Sequence, residues 1–91
     1  MASGYTGERR ALLEALAELL PHQGLVSRLV GGDDPVLWVW HPRTRRQTIV
    51  FATPSSGGWT LLWSPGGQGG ADDLESAAAS LRRTLDSAQS G

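Results

Sequence analysis

The hydrophobic positions along the chain follow a helical period at both ends and a strand period in the middle. From residue 7 to residue 20 apolar side chains recur as one stripe of a 3.6-residue period, with glutamates between them. The members of the stripe are Leu12, Leu13, Leu16, Leu19 and Leu20. Pro21 follows directly and cannot continue a helix. The pattern predicts an amphipathic helix over 7–20, preceded by a loose lead-in over 1–6.

The middle of the chain holds short runs of β-branched, aromatic and leucine residues, separated by proline and glycine. These runs predict strands over 25–30, 36–41, 46–53 and 59–64. The first is the weakest of the four, so we expect three or four strands. Because the connections are about four to six residues long, an antiparallel meander of hairpins is favoured. The glycine-rich run "SPGGQGGADD" that follows is interpreted as a flexible connector.

The last part of the chain returns to the helical period through Leu74, Ala78, Leu81 and Leu85. Asp72 and Glu75 match the spacing of a capping box, which predicts a helix over 72–87. The order of helix, strands and helix predicts an α+β fold in which both helices pack on one face of an antiparallel three- or four-stranded sheet. We expect a single domain over 1–91, with an ordered core at about 7–87.

The predicted strands are apolar on both faces, which is unusual for an antiparallel sheet with one solvated side. In the second strand Trp38 and Trp40 share one face, and in the last strand Trp59 and Trp63 share one face. Two helices can cover only one side of such a sheet. Either tryptophans are left exposed, or they form the core beneath the helices and the other face meets water. In both cases large apolar groups remain uncovered, so a homodimer or another protein partner is favoured.

Composition narrows the possible functions. The formal net charge is −1, which argues against a general electrostatic attraction to nucleic acid or acidic membranes. All eight basic side chains are arginines, and lysine, asparagine and cysteine are absent. Because GC-rich codons favour arginine, the choice of arginine needs no functional explanation. Without cysteine there is no disulfide or thiolate nucleophile. No 18-residue apolar span occurs, so we predict a cytoplasmic protein without a membrane segment.

The residues that could act in catalysis or bind a metal show no spacing typical of an active site or a metal site. His22 and His41 are the only histidines, and neither has an acidic residue at metal-ligand spacing. The pairs 33–34 and 72–73 are aspartates that turn chemistry and helix capping already explain. We therefore predict no catalytic residues, no metal and no cofactor, and a protein that is not an enzyme.

The best candidate for a binding surface is the tryptophan–arginine region. We predict that Trp38, Trp40, Trp59 and Trp63 anchor a protein partner and that Arg43, Arg45 and Arg46 lie at its rim. The resulting hypothesis is a non-enzymatic adaptor, regulator or chaperone-like accessory protein, working as a homodimer. An alternative is a small-molecule site in a tryptophan-lined groove between the sheet and the helices. Single-stranded nucleic acid is a third and less favoured ligand. The alternative interpretation of the three arginines is a solvated hairpin turn without a binding role.

Four loose motifs occur along the chain within about residues 10–86: "HQGLVSRLV", "LWVWHP", "GGWTLLWSPG" and "ADDLESAAASLRRTL". In these motifs the chain resembles a group of short, uncharacterised α-β-β-β-α proteins from high-GC actinobacterial genomes. Such proteins look like companions of helix-turn-helix regulators or signalling proteins, which implies an accessory role. Where the group has asparagine before the proline this chain has His41, so no role for that residue carries over.

Overall fold

The computed structural model describes residues 3–32, 34–55, 58–64 and 67–86, with side chains from Gly7 onward. Within these ranges the chain forms a helix, five strands and a second helix. The helices are α1 (Ser3–Leu19) and α2 (Leu74–Asp86), and a 3-10 turn (Leu20–Gln23) follows α1. The strands are β1 (Val26–Val30), β2 (Val36–Trp40), β3 (Gln47–Ser55), β4 (Gly58–Trp63) and β5 (Gly67–Gly70).

The strands form one antiparallel sheet in the order β1-β2-β3-β4-β5, so each strand pairs with its neighbours in sequence. In this register Leu37 lies opposite Val50, and Val50 lies opposite Trp63. The predicted α+β fold, with both helices packed against the sheet, is confirmed. Among the described residues, no helix has the length and apolar character needed to cross a membrane.

The hydrophobic core lies between the helices and one face of the sheet. The leucine stripe of α1 contributes Leu13 and Leu16, and α2 contributes Leu81 and Leu85. The strands contribute every second side chain, as the two-residue period of a strand requires. These strand residues are Leu37, Val39, Val50, Ala52, Leu61 and Trp63. We refer to this side of the sheet as the covered face and to the opposite side as the open face.

The first helix begins earlier than predicted. Residues 3–6, interpreted from the sequence as a loose lead-in, belong to α1. The low helix propensity of Gly4 and Gly7 argued against a helix there, but adding residues to an existing helix costs much less than nucleating one. At the other end the α-helix stops at Leu19, and Pro21 lies in the 3-10 turn. Gly24, with a left-handed φ of 75°, then directs the chain into β1.

The glycine-rich run holds a fifth strand, β5, where the sequence predicted a flexible connector. Glycine is needed here because β5 lies close to other elements. A Cβ atom at Gly69 would come within 3.0 Å of the Ala77 Cβ atom on α2. At Gly67 a Cβ atom would overlap the indole of Trp63. The residues that suggested a turn therefore allow close packing of a strand.

The start of the second helix also differs from the predicted capping box of Asp72 and Glu75. Asp73 is the capping residue, since its Oδ1 accepts a hydrogen bond from the Ser76 backbone N–H at 3.2 Å. The Ser76 hydroxyl donates to the other carboxylate oxygen at 2.8 Å. The helix consequently begins at Leu74, two residues later than predicted. Residue 87 of the predicted helix lies outside the described residues, as does Asp33.

Strand β3 passes through Pro54, which the sequence analysis placed after the end of the strand. Pro54 pairs with Trp59 of β4. On its other side β3 has no strand at this level, because β2 begins at Val36 and Leu37 already lies opposite Val50. A proline without an N–H group is tolerated where one side of a strand is unpaired.

Candidate functional site

The open face carries a continuous set of apolar side chains that no other element covers within the described residues. Phe51 has 51% of its surface exposed, and Leu62 has 39%. Val26 and Val30 are also exposed, while the remaining members are partly buried by their neighbours in the sheet. Those remaining members are Val36, Trp38, Trp40 and Ile49. Large apolar patches of this kind mark interaction sites on soluble proteins.

Strand register arranges these side chains in rows across the sheet. Val30 lies opposite Val36, and Phe51 lies opposite Leu62. Because Leu37 lies opposite Val50, the next residues outward, Val36 and Phe51, are adjacent as well. The first row therefore crosses four strands without a polar side chain. Directly opposed side chains in a sheet lie about 5 Å apart, close enough for contact.

A second row contains Arg28, the only charged side chain that the described strand residues place on the open face. Arg28 lies opposite Trp38, and Trp38 lies opposite Ile49. Among the residues that the structure describes on these strands, none of the open-face side chains is a carboxylate. The surface is thus apolar with a positive character.

Trp38 and Trp40 form a contacting pair on this face. Their ring centroids are 5.1 Å apart, and their planes are inclined by 48°. This tilted arrangement falls within the distance range of favourable aromatic pairs. The Trp38 indole N–H donates a hydrogen bond of 2.6 Å to the Gln47 side-chain oxygen, which fixes the orientation of the ring.

The other two predicted anchors, Trp59 and Trp63, lie on the covered face. Trp63 is only 3% exposed and belongs to the core. Trp59 is partly buried, and the guanidinium carbon of Arg9 lies 5.7 Å from its ring centroid. Arg9 also donates to the Ala52 carbonyl at 3.1 Å and to the Asp34 carboxylate at 2.7 Å. Trp59 and Trp63 are therefore not available on the open face to a partner.

The turn between β2 and β3 is organised by His41, whose side chain is buried. Its Nδ1 accepts hydrogen bonds from the backbone N–H groups of Arg43 at 3.1 Å and Thr44 at 3.3 Å. The proton must then be on Nε2, which lies 2.7 Å from an Asp86 carboxylate oxygen. Both ring nitrogens are thus engaged within the protein. His41 acts as a structural link between the turn and the end of α2.

Further contacts attach the same turn to α2. The Thr44 hydroxyl donates to the Leu85 carbonyl at 3.0 Å. Asp86 also accepts a hydrogen bond of 2.8 Å from Arg82 Nε. That hydrogen bond is the main reason why the pKa of Asp86 is lowered; the hydrogen bond from His41 lowers it further, against the opposing effect of desolvation. Arg82 in addition donates to the Gln23 carbonyl at 2.6 Å, so the network extends to the turn after α1.

The three arginines of the turn, Arg43, Arg45 and Arg46, are exposed, but they differ in their surroundings. Arg45 lines a recess with Trp38 and Trp40, whereas Arg43 lies on the other side of the turn in a groove beside Arg82. The structure thus brings two of the four tryptophans together with one of the three arginines. Among the described residues, no group of three or more potential metal ligands is present.

Sequence reasoning missed two contributors to this region. Phe51 falls within the predicted strand 46–53 but was not selected as a site residue, although its alternation with buried Val50 and Ala52 places it outside the core. The link between His41 and Asp86 joins residues that are 45 positions apart. No local motif could have indicated that pairing.

No protein-family model, curated protein or solved structure matches this chain. The resemblance to the short actinobacterial proteins stays a prediction, and the open face is the feature of the structure that points to a function.

Proposed function

We propose that this protein is a non-enzymatic interaction module that pairs with a second copy of itself through the open face. Its setting would be the cytoplasm, in an accessory, adaptor, regulatory or chaperone-like role. The observation that carries the proposal is the exposure of Phe51 on β3, the middle strand of the sheet. Burying a phenylalanine that is half exposed is favourable, because apolar surface leaves water.

The dimensions of the open face suit sheet-on-sheet packing. Five strands spaced about 4.8 Å apart give a width of about 19 Å, and a five-residue strand is about 17 Å long. Two antiparallel sheets can pack face to face at a separation of about 10 Å, with their inner side chains interdigitated. A second copy supplies a surface of matching size and composition. The two open faces would then form the interior of a sandwich, with helices on both outer sides.

The position of Arg28 on the open face is compatible with a symmetric dimer. Arg28 lies on β1, two strands away from Phe51. A two-fold axis along β3 would place each β1 opposite the partner's β5, where Gln68 is uncharged. The two copies of Arg28 are then far apart, while Phe51 of each copy lies at the centre. Central, well-packed aromatic residues are the ones that contribute most to interface stability.

Sedimentation equilibrium over a range of concentrations tests this proposal. We expect the wild type to be dimeric and Phe51→Glu to weaken dimerisation by at least about 30-fold, because a carboxylate would be buried at the centre of the interface. Ala11→Glu introduces the same charge at an exposed position of α1 and serves as the matched control. A wild type that stays monomeric at millimolar concentration contradicts the proposal, and so does an equal effect of the two substitutions.

A further inference from the structure

A recess lies on the open side of the sheet where β2 enters the turn to β3. Its volume is about 440 Å³, within the range of small-molecule sites. The lining residues are Trp38, Trp40, His41, Pro42, Arg45 and Gln47. We propose that this recess binds a small planar aromatic anion, whose ring stacks on the tryptophans and whose negative group pairs with Arg45.

The aromatic part of the recess is held in a defined orientation. Trp38 is fixed by its hydrogen bond to Gln47, and Trp40 packs against Trp38 at a centroid distance of 5.1 Å. Both side chains are partly exposed. Rings held in one orientation can take up a flat ligand with little further loss of side-chain entropy. The apolar lining therefore selects a flat aromatic group.

Arg45 supplies the charge of the recess. Within the part of the chain that the structure describes, its guanidinium makes no hydrogen bond or ion pair. His41 also lines the recess, but its two ring nitrogens are already hydrogen-bonded to Asp86 and to backbone N–H groups. Arg45 is thus the charged donor available to a ligand, and it selects a carboxylate, sulfonate or phosphate group.

The backbone of Arg45 gives a second reason to regard this residue as functional. Its φ is 67°, in the left-handed region, which glycine adopts readily and residues with a Cβ atom such as arginine rarely adopt. The Arg45 N–H donates to the His41 carbonyl at 2.8 Å, which closes the turn with Arg45 in this conformation. Strained residues of this kind concentrate at binding sites. An arginine in a position suited to glycine presents its guanidinium beside the tryptophan pair.

The recess shares Trp38 and Trp40 with the open face, so a paired second copy would cover it. Phe51 is not among the lining residues, and the titrations therefore use the Phe51→Glu protein, in which the recess stays accessible. The probes are 2-naphthylacetate, an aromatic anion, and 2-naphthylmethylammonium, a cation of similar shape. Binding is followed by NMR through the indole N–H signals of the ¹⁵N-labelled protein. We expect 2-naphthylacetate to shift the signals of Trp38 and Trp40 saturably and to leave that of buried Trp63 in place. The cation should bind about tenfold more weakly, because it is repelled by Arg45.

Two variants assign the charge effect to one residue. Arg45→Gly should weaken 2-naphthylacetate binding about fivefold, as expected for one exposed ion pair, without lowering the melting temperature, since glycine suits the left-handed backbone. Arg43→Gln removes an arginine of the same turn that lies outside the recess and should leave the affinity unchanged. Equal affinity for the two probes, equal effects of the two variants, or no saturable shift at 10 mM probe each overturns the proposal. The same titration with the wild type, which should bind 2-naphthylacetate more weakly if the open faces pair, separates this outcome from a failure of dimerisation.

Discussion

At the scale of single residues, His41 shows how one side chain connects parts of the chain that are distant in sequence. Backbone N–H groups donate to Nδ1, and Nε2 donates to Asp86 at the end of α2. A buried imidazole with both nitrogens satisfied stabilises the turn, because an unsatisfied buried polar group is costly. The sequence predicted only that the strand ends before Pro42, since the partner of His41 is 45 positions away.

Asp86 leads to a prediction on pH. Its pKa is lowered in the folded protein, so its carboxylate stabilises the fold at pH values above the pKa of an unfolded aspartate, about 3.9. This stabilisation is lost as the pH falls through the lower, folded pKa. We expect Asp86→Asn to reduce the free energy of unfolding at neutral pH and to differ less from wild type as the pH approaches 2. Urea unfolding of the variant and the wild type at several pH values measures this difference in the free energy of unfolding.

Glu14→Gln is the control for that comparison, because Glu14 is exposed on α1. We expect Asp86→Asn to change the pH dependence of stability more than this substitution does. If Asp86→Asn and wild type differ by the same amount from pH 7 to pH 2, the assigned role of the carboxylate is wrong.

At the scale of secondary structure elements, β5 is the strand that the sequence did not predict, because of its amino-acid composition. Four residues with the sequence "GQGG" are typical of a turn, and the strand propensity of glycine is low. The strand forms because it completes a ladder with β4 and lies under α2, where Gly69 faces Ala77. Local propensity is a weak determinant when tertiary packing favours another structure. The amphipathic helices, whose period spans many residues, were predicted in type and approximate extent.

Replacing Gly67 should test this account of β5. A methyl group at Gly67 would overlap the Trp63 indole, so Gly67→Ala requires β5 or the ring to move. We expect a loss of about 1–3 kcal/mol in the free energy of unfolding, as for other overpacked sites. Chemical denaturation gives the value.

Gly7→Ala is the same substitution at another glycine, and it should have the opposite effect on stability. Gly7 lies in α1, and a Cβ atom there would meet no other atom within 4 Å. Alanine should therefore stabilise the helix by up to about 1 kcal/mol. A Gly67→Ala protein as stable as wild type would contradict the proposed close packing of β5.

At the scale of the whole molecule, two helices cover one side of a sheet that is apolar on both sides. Cores of small domains supply limited stability, and association can add to it. If the open faces pair, folding and dimerisation are linked, because only the folded chain presents the surface.

This linkage predicts that the melting temperature of the wild type rises with protein concentration. Phe51→Glu should abolish that rise, because it removes the association and not the fold. Differential scanning calorimetry of both proteins at concentrations between about 10 µM and 1 mM measures whether the melting temperature depends on concentration. A wild-type melting temperature that is independent of concentration is evidence against linked dimerisation.

The sequence by itself determined the helices, four of the strands and the sets of residues that share a strand face, because periodicity is a local property of the chain. It could not determine which sets from different strands lie on the same side. Register decided that: Trp63 is aligned with Val50 and Leu37 on the covered face, whereas Trp38 and Trp40 are left on the open face. Shifting a pairing by one residue would exchange the two sides, and both sides here are apolar. Only tertiary packing could therefore separate the core tryptophans from those that remain exposed.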